Sequence, residues 1–368
     1  MPAASIDRLM TDPATRPASL VPLPPQPAGV PWPTDGWPTA DPPAATAGRM
    51  SALLDEITGD IARFGTTYAV AVVQGGRLLA ERYGNELEHW DRPDEPVGPT
   101  TQLLSWSMAK SVLHAAVGVL VGAGRLAVDV RAPVPEWADP ADPRHAITLD
   151  HLLTMRDGLD FAEDYEDIEG SDVIRMLFGD AQADMAHFAA DHPLTHEPGT
   201  FFNYSSGTSL IVSGVVARTV GAGARYDQFL RDCLFEPLGM RSTRARFDEA
   251  GTFVGSSFLY ATAQDYLRFG LLYLRDGVWD GRRLLPVGWV DHGRRARSRD
   301  EEGDRWHGAH WWSVGDELGT FTANGYEGQS LMICPPLDLI VVRLGKSPDD
   351  THDPELRAWR ARMVEAFR

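Results

Sequence analysis

Ser107-Met108-Ala109-Lys110 sets a serine hydroxyl three residues ahead of a lysine amine. Met108, Val112, Ala115, Ala116, Val119 and Leu120 recur at helical spacing through and beyond it. On a helix, residues three apart are neighbours, so Lys110 falls one turn beyond Ser107 on the same face. An unaided serine is a poor nucleophile near neutral pH and needs a base within hydrogen-bond reach. A lysine kept partly neutral by burial and nearby positive charge can be that base. The helix start adds partial positive charge, which favours a developing alkoxide. In isolation the tetrapeptide is better explained as a helix start with a solvated lysine. The rest of the chain decides.

Further along, Pro198-Gly199-Thr200-Phe201-Phe202-Asn203-Tyr204-Ser205-Ser206-Gly207 offers a second base. A phenol such as Tyr204, placed beside an ammonium, can exchange protons with it. Ser206 can hydrogen-bond the serine–lysine pair or a substrate carbonyl. Gly325-Tyr326-Glu327-Gly328-Gln329 then introduces an expected strand. Acyl transfer requires N–H donors aimed at the tetrahedral oxyanion, and a glycine-freed strand edge can supply one. The plainer readings are a loop tyrosine under a turn and a simple glycine turn. The histidines suggest no rival mechanism: Gly-x-Ser-x-Gly, His-Glu-x-x-His and a Gly-rich dinucleotide loop are all missing. His114 reads as packing, and His151 and His196 as loop or helix-start residues. Trp106, Trp306, Trp311 and Trp312 read as core or cleft wall.

A chain of 368 residues can bury a substantial core, as one large domain or two interleaved ones. Its net charge of −18 disfavours nucleic acid and anionic membrane as partners. Cys233 and Cys334 make neither a disulfide framework nor a metal spacing. The first ten residues lack a basic stretch followed by an apolar one, and no apolar run is long enough to span a bilayer. A cytoplasmic protein is expected.

The elements that must position these residues are legible in outline. Residues 1–48 hold 12 of the 27 prolines, with Trp32 and Trp37 among them. Such a segment forms neither a regular helix nor a central strand, and its tryptophans favour an extended arm packed across the body. The apolar face of 49–64 predicts a helix, and two apolar runs across Gly75-Gly76 predict a hairpin over 68–74 and 77–83. Helices are predicted to dominate from 105 to 247. Among them are short helices after Thr148, over 210–220 and over 226–235. Thr262 and Asp265 predict a capping box opening a helix that stops at Asp276-Gly277. Strands are expected near 311–314, 319–323, 330–334 and 339–344, then a helix over 354–367. The fold class is α/β (α+β): an antiparallel sheet flanked by N- and C-terminal helices, with a large helical lobe inserted. The expected domains are a proline-rich arm (1–48), a sheet domain (49–104 and 251–368) and a helical domain (105–250), with the site between the last two.

Taken together, Ser107–Lys110, Tyr204–Ser206 and Tyr326–Gly328 resemble the three motifs of the β-lactamase-related serine hydrolases. That group includes class C β-lactamases, D,D-peptidases, family VIII esterases and 6-aminohexanoate-dimer hydrolases, and the look is closest to the last. Its pattern is Ser-x-x-Lys, Tyr-x-Asn or Tyr-x-Ser, then Lys/His/Trp-x-Gly on a strand. His151 to Leu159, Phe235 to Met240, and Tyr260-Ala261-Thr262 with the helix that follows are similar to its connecting segments. The resemblance covers about residues 50–368 and implies a β-lactamase/transpeptidase-like fold. It implies Ser107 as the acylated nucleophile, Lys110 and Tyr204 sharing the acid and base roles, and Ser206 assisting. The oxyanion hole would be the N–H groups of Ser107 and Gln329. Neither metal nor cofactor is implied.

Two departures bear on the substrate. Tyr326 stands where β-lactam-handling members carry Lys or His, and Glu327 beside it would repel a carboxylate. Ser206 replaces the usual Asn. Both argue against a dedicated β-lactamase, and Glu327 with the missing export signal against a D,D-carboxypeptidase. The acidic stretch 160–169 includes Asp164, Tyr165 and Glu166, and reads either as a solvated loop or as a seat for a substrate ammonium. Tyr165, Asp164, Tyr326, Glu327 and Gly328 are the candidate substrate-binding residues. The expected activity is hydrolysis of small esters or linear amides; a silent peptide-binding relative is disfavoured by the complete Ser107, Lys110, Tyr204 set. The expected partner is a small-molecule ester or amide, and a homodimer stays open.

Overall fold

In the computed structural model, which describes residues 20–84, 95–165, 170–300, 305–347 and 352–368, the sheet begins with a hairpin. Thr66–Gln74 (β1) and Arg77–Tyr83 (β2) turn at Gly75 and Gly76, whose φ values of 58° and 71° suit a tight two-residue turn. The other strands come from the second half: Ser298–Asp300 (β3), Arg305–His307 (β4), Trp312–Ser313 (β5), Phe321–Gly325 (β6), Gln329–Cys334 (β7) and Leu339–Lys346 (β8). Their order is β2-β1-β8-β7-β6-β5-β4-β3, with every neighbouring pair antiparallel.

The helices used below are Ala44–Gly59 (α1), Ala109–Gly122 (α2), Leu149–Leu153 (α3), Ser206–Val220 (α4), Ala263–Leu274 (α5) and His352–Ala366 (α6). Strand residues alternate between two cores, as a period of two requires. Val70, Val72, Met332 and Val341 face Leu53, Leu54, Ile57, Trp359 and Met363, from α1 and α6. Ala69, Ala71, Leu331, Ile333, Ile340 and Val342 face the larger core, shared with α5 and the helical lobe. A β-carbon added to Gly270 would stand 3.0 Å from both Ile340 and Leu331, so α5 lies directly on the sheet. Both faces are covered, which is why these strands read as near-continuous apolar runs.

The structure corrects several expected bounds. The first helix is broken at Asp60, whose carboxylate accepts from Arg63 N (3.2 Å) and starts a separate turn over Ile61–Phe64. The capping box at Thr262 is only half made. Thr262 accepts from Asp265 N (3.1 Å), but the Asp265 carboxylate pairs with Arg268 (2.7 Å) and accepts from Ser242. The strands β3 and β4 were not anticipated, and β6 ends at Gly325 rather than 323.

From residue 20 the arm runs over its own chain. Arg268 donates to Pro33 O (2.8 Å), Arg275 to Pro24 O (3.3 Å) and Arg294 to Val21 O (2.7 Å). Trp32 packs on Trp279 with centroids 5.0 Å apart, and Leu78 N donates to Pro38 O (2.8 Å). Residues 1–19 lie outside the described part.

A buried polar chain runs behind α2. Tyr273 meets His114 (2.8 Å), His114 meets His292 (3.2 Å), and His292 meets Asp150 of α3 (2.8 Å), which also takes Arg297 (3.2 Å). Burial lowers the pKa of His114, His292, His307 and His310, the last to about 3. Burial alone would raise that of Asp150, but Arg297 and His292 bring it down. The folded protein thus keeps these imidazoles neutral, whereas the unfolded chain protonates them below about pH 6.5. Stability should therefore be fully present above that pH and fall as acid is added, with Asp150 adding to the loss below about pH 4. Unfolding free energies from urea titrations between pH 7.5 and 5 should show an uptake of several protons. A dependence of less than one proton would contradict it.

Candidate active site

Ser107 sits in the single 3₁₀ turn Trp106–Met108 that runs into α2. The turn is tied down by Ser105, which donates N–H to Leu259 O (2.8 Å) and accepts from Leu259 N (3.3 Å). Trp106 has φ 44°, a costly conformation for a bulky residue, immediately before the serine. Its ring is held between Phe258 (5.9 Å) and Tyr326 (5.6 Å), and its Nε1 donates to Glu327 (3.2 Å).

Lys110, only 2% exposed, lies one turn on as expected. Its Nζ is 3.0 Å from Ser107 Oγ, 3.0 Å from Ser206 Oγ and 2.9 Å from Ser256 O. Ser206 is the first residue of α4. The helix is capped by Ser205, which accepts from Thr208 N (3.0 Å), and Thr208 Oγ1 donates to buried Asp157 (2.7 Å). Tyr204 comes in ring-first: Nζ stands 4.9 Å from its centroid, and Trp312 (5.2 Å) and His307 (6.1 Å) back the ring. Ser107, Lys110, Tyr204 and Ser206 thus converge.

The acidic loop supplies a residue the sequence reading passed over. Glu163 accepts from Ser206 N (2.7 Å) and Ser206 Oγ (2.6 Å), and also from the Tyr165 hydroxyl (2.9 Å). Burial and the Glu163 charge raise the Tyr165 pKa, so the phenol stays a donor. Tyr165 also stacks on Tyr326 at 5.0 Å. Asp164, one residue away, is exposed, and Glu166 lies outside the described residues. The available signal was the Glu163–Tyr165 spacing of two, which puts both side chains on one side of an extended segment.

The third motif is placed differently from expectation. Gln329 lies on β7, opposite Gly325 across the β6–β7 ladder. Its carboxamide is engaged by β8, donating to Gly345 O (2.6 Å) and accepting from Gly345 N (2.9 Å). The segment against the Ser107 turn is the end of β6. A β-carbon on Gly325 would overlap Ser105 O and stand 3.1 Å from Trp106 Cβ. On its other side β6 pairs with β5 only at Phe321 and Thr322, so β5 leaves the 323–325 edge uncovered. Glu327 (φ 60°) and Gly328 (φ 81°) complete the three-residue turn into β7. The Glu327 carboxylate holds Trp106 and stands 4.0 Å from Lys346, so its charge is directed at the protein. A β-carbon on Gly328 would stand 2.6 Å from Leu356 and 2.7 Å from Arg343, on the α6 side. Tyr326 alone of the triplet, 42% exposed, borders the opening. Among the described residues no set of His, Cys, Asp and Glu is arranged to hold a metal, and no helix is long and apolar enough to cross a membrane.

The family model for beta-lactamase matches residues 58–365, and the chain belongs to that family. It is 29% identical over 316 residues to the 6-aminohexanoate-dimer hydrolase of Paenarthrobacter ureafaciens, spanning 80% of this chain and 75% of the relative. The penicillin binding protein of Bacillus halodurans superposes with a TM-score of 0.66 at 19% identity, over 86% of this chain and 99% of that one. EstCE1, a hydrolase with promiscuous acyltransferase activity, gives 0.66 at 17% identity, over 88% and 98%. The two structural likenesses establish the fold alone.

Proposed function

We propose that the protein hydrolyses small esters or linear amides through an acyl-enzyme on Ser107. The observation that carries this is the Lys110 amine within hydrogen-bond reach of Ser107, with two neutral acceptors, Ser206 and the Ser256 carbonyl, as its other partners. In the first step Ser107 Oγ attacks the carbonyl carbon and its proton passes to Lys110 Nζ, while the carbonyl π pair moves to oxygen. The oxyanion is received by Ser107 N–H, where a helix start leaves donors without intrahelical partners, and by the end of the β6 edge. As the bond to the leaving group breaks, that group takes a proton from the Lys110–Tyr204 pair. Water repeats the sequence on the acyl-enzyme, releasing acid and restoring Ser107.

Trp106, Tyr326 and Tyr165 form an aromatic border that suits an apolar acyl chain. The likeness to the 6-aminohexanoate-dimer hydrolase supports a linear amide as well as an ester. Because Glu327 is directed at Trp106 and Lys346, its charge gives no grip on a substrate. Asp164 remains the exposed carboxylate proposed for a substrate ammonium. The proposed site of action is the cytoplasm.

Incubation with p-nitrophenyl butyrate should give a burst of nitrophenol followed by turnover. Mass spectrometry after an acid quench should place a butyryl group on the peptide containing Ser107. Turnover with the adduct on another residue, or undiminished in Ser107→Ala, would overturn the assignment.

A further inference from the structure

Glu163 does more than close the acidic loop. A carboxylate only accepts hydrogen bonds, so the single proton of the Ser206 hydroxyl, 2.6 Å from Glu163, points to Glu163. Ser206 Oγ must then accept from Lys110 Nζ (3.0 Å), and Ser256 O, a carbonyl, must accept as well (2.9 Å). Two of the three positions around Nζ are thereby reserved for N–H bonds. As an ammonium, Lys110 fills the third with a proton donated to Ser107. As a neutral amine, it has only its lone pair left for Ser107.

We infer that Glu163 is a positioning residue that fixes the direction of the Ser206 hydroxyl and so keeps the Lys110 lone pair aimed at Ser107. This rests on Ser107 as nucleophile and Lys110 as base. The Ser206 backbone makes the arrangement specific, because its N–H donates to the second Glu163 oxygen (2.7 Å). A glutamine at this position must turn its oxygen toward that N–H. Its NH₂ then faces Ser206 Oγ, and the hydroxyl proton is released toward Lys110, where it competes for the lone pair. Glu163 is half-buried and its loop is held independently: Asn203 Nδ2 donates to Phe161 O (3.1 Å), and the Phe161 ring lies where a Gly207 side chain would be. The substitution therefore reverses proton directions at that one oxygen, for Ser206 and for the Tyr165 hydroxyl that shares it (2.9 Å), while the loop's other supports stay in place.

The test is a cycle of Glu163→Gln, Ser206→Ala and the double variant, with acylation by p-nitrophenyl butyrate followed in single turnover and Ser107→Ala as control. Glu163→Gln should slow acylation on the order of 30-fold, with little change in KM or melting temperature. In the Ser206→Ala background it should cost nothing further, because no hydroxyl remains to be misdirected. An acylation rate within about twofold of wild type for Glu163→Gln, or an equal loss in both backgrounds, would overturn the inference. Neutron diffraction of the unaltered protein gives a reading that needs no variant. A deuteron on Ser206 Oγ pointing to Glu163 is expected, and one pointing to Lys110 would refute it. Activity persisting in Ser107→Ala would instead remove the reading on which the inference rests.

Discussion

Lys110→Met should lower kcat/KM for ester hydrolysis at least about a thousandfold while leaving the melting temperature unchanged or higher. The loss follows from chemistry, since a thioether cannot accept the Ser107 proton. The stability expectation follows from burial. Lys110 is 2% exposed, and its partners are two hydroxyls, a carbonyl and the Tyr204 ring, with no counter-charge among them. A lysine buried without a counter-charge weighs on stability in either state, since an ammonium loses its hydration and a neutral amine gives up a proton that the unfolded chain keeps. Methionine has nearly the same length and removes that cost. It strands the Ser256 carbonyl, a penalty of about 1–3 kcal/mol, so the two terms leave stability level or improved. Thermal melts beside stopped-flow acylation would check both halves. More than a tenth of wild-type acylation would exclude Lys110 as the base, and a marked drop in melting temperature would mean that the charge is better solvated than its surroundings indicate.

Gly325→Ala should cut turnover on the order of a hundredfold and destabilise the fold by about 1–3 kcal/mol, the usual penalty of overpacking. The position needs glycine for space, since its φ of −137° suits any residue. The added methyl would strike Ser105 O and approach Trp106 and Gln329 to 3.1 and 3.0 Å. Relief requires β6 to move off the Ser107 turn, widening the gap between Ser107 and the strand edge proposed to complete the oxyanion hole. Gly98→Ala is the control, because nothing lies within 4 Å of its added carbon. Equal activity in both variants would show that β6 takes no part in catalysis.

What could be read from the sequence tracks what is decided locally. Ser107 and Lys110 are neighbours by helical geometry alone, and Gly75-Gly76 sets its hairpin by turn geometry alone. Glu163 was missed because six carboxylates crowd the stretch 160–169. The inward turn of Glu163 is set by the loop's path, through Asn203 and through the absence of a side chain at Gly207. Gln329 was favoured over the end of β6 for a related reason. Gly325 and Gly328 both punctuate the stretch, and apolar alternation fades at Asn324, so the strand's true end carries no signal of its own. The strands β3 and β4 read as Arg, Asp, Ser and His around one tryptophan, a pattern with no apolar face, and only their place at the sheet's edge makes strands of them.

The arm's seat has a bearing on how this chain can vary. Four of its docking contacts are carbonyls, those of Val21, Pro24, Pro33 and Pro38, received by Arg294, Arg275, Arg268 and the backbone of Leu78. A carbonyl is common to all residues, and an extended proline-rich strand presents its carbonyls without using them internally. The body's arginines thus read the arm's backbone, while a few arm side chains fix its register: Trp32 on Trp279, Gln26 accepting from Arg275 (2.9 Å), Thr34 accepting from Trp279 (2.9 Å) and Trp37 donating to Gln264 O (3.2 Å). Such a segment can drift at positions that contribute only a carbonyl, such as Pro24 and Pro38, whereas Gln26, Trp32, Thr34 and Trp37 are held by their side chains and each arginine by a partner that never changes.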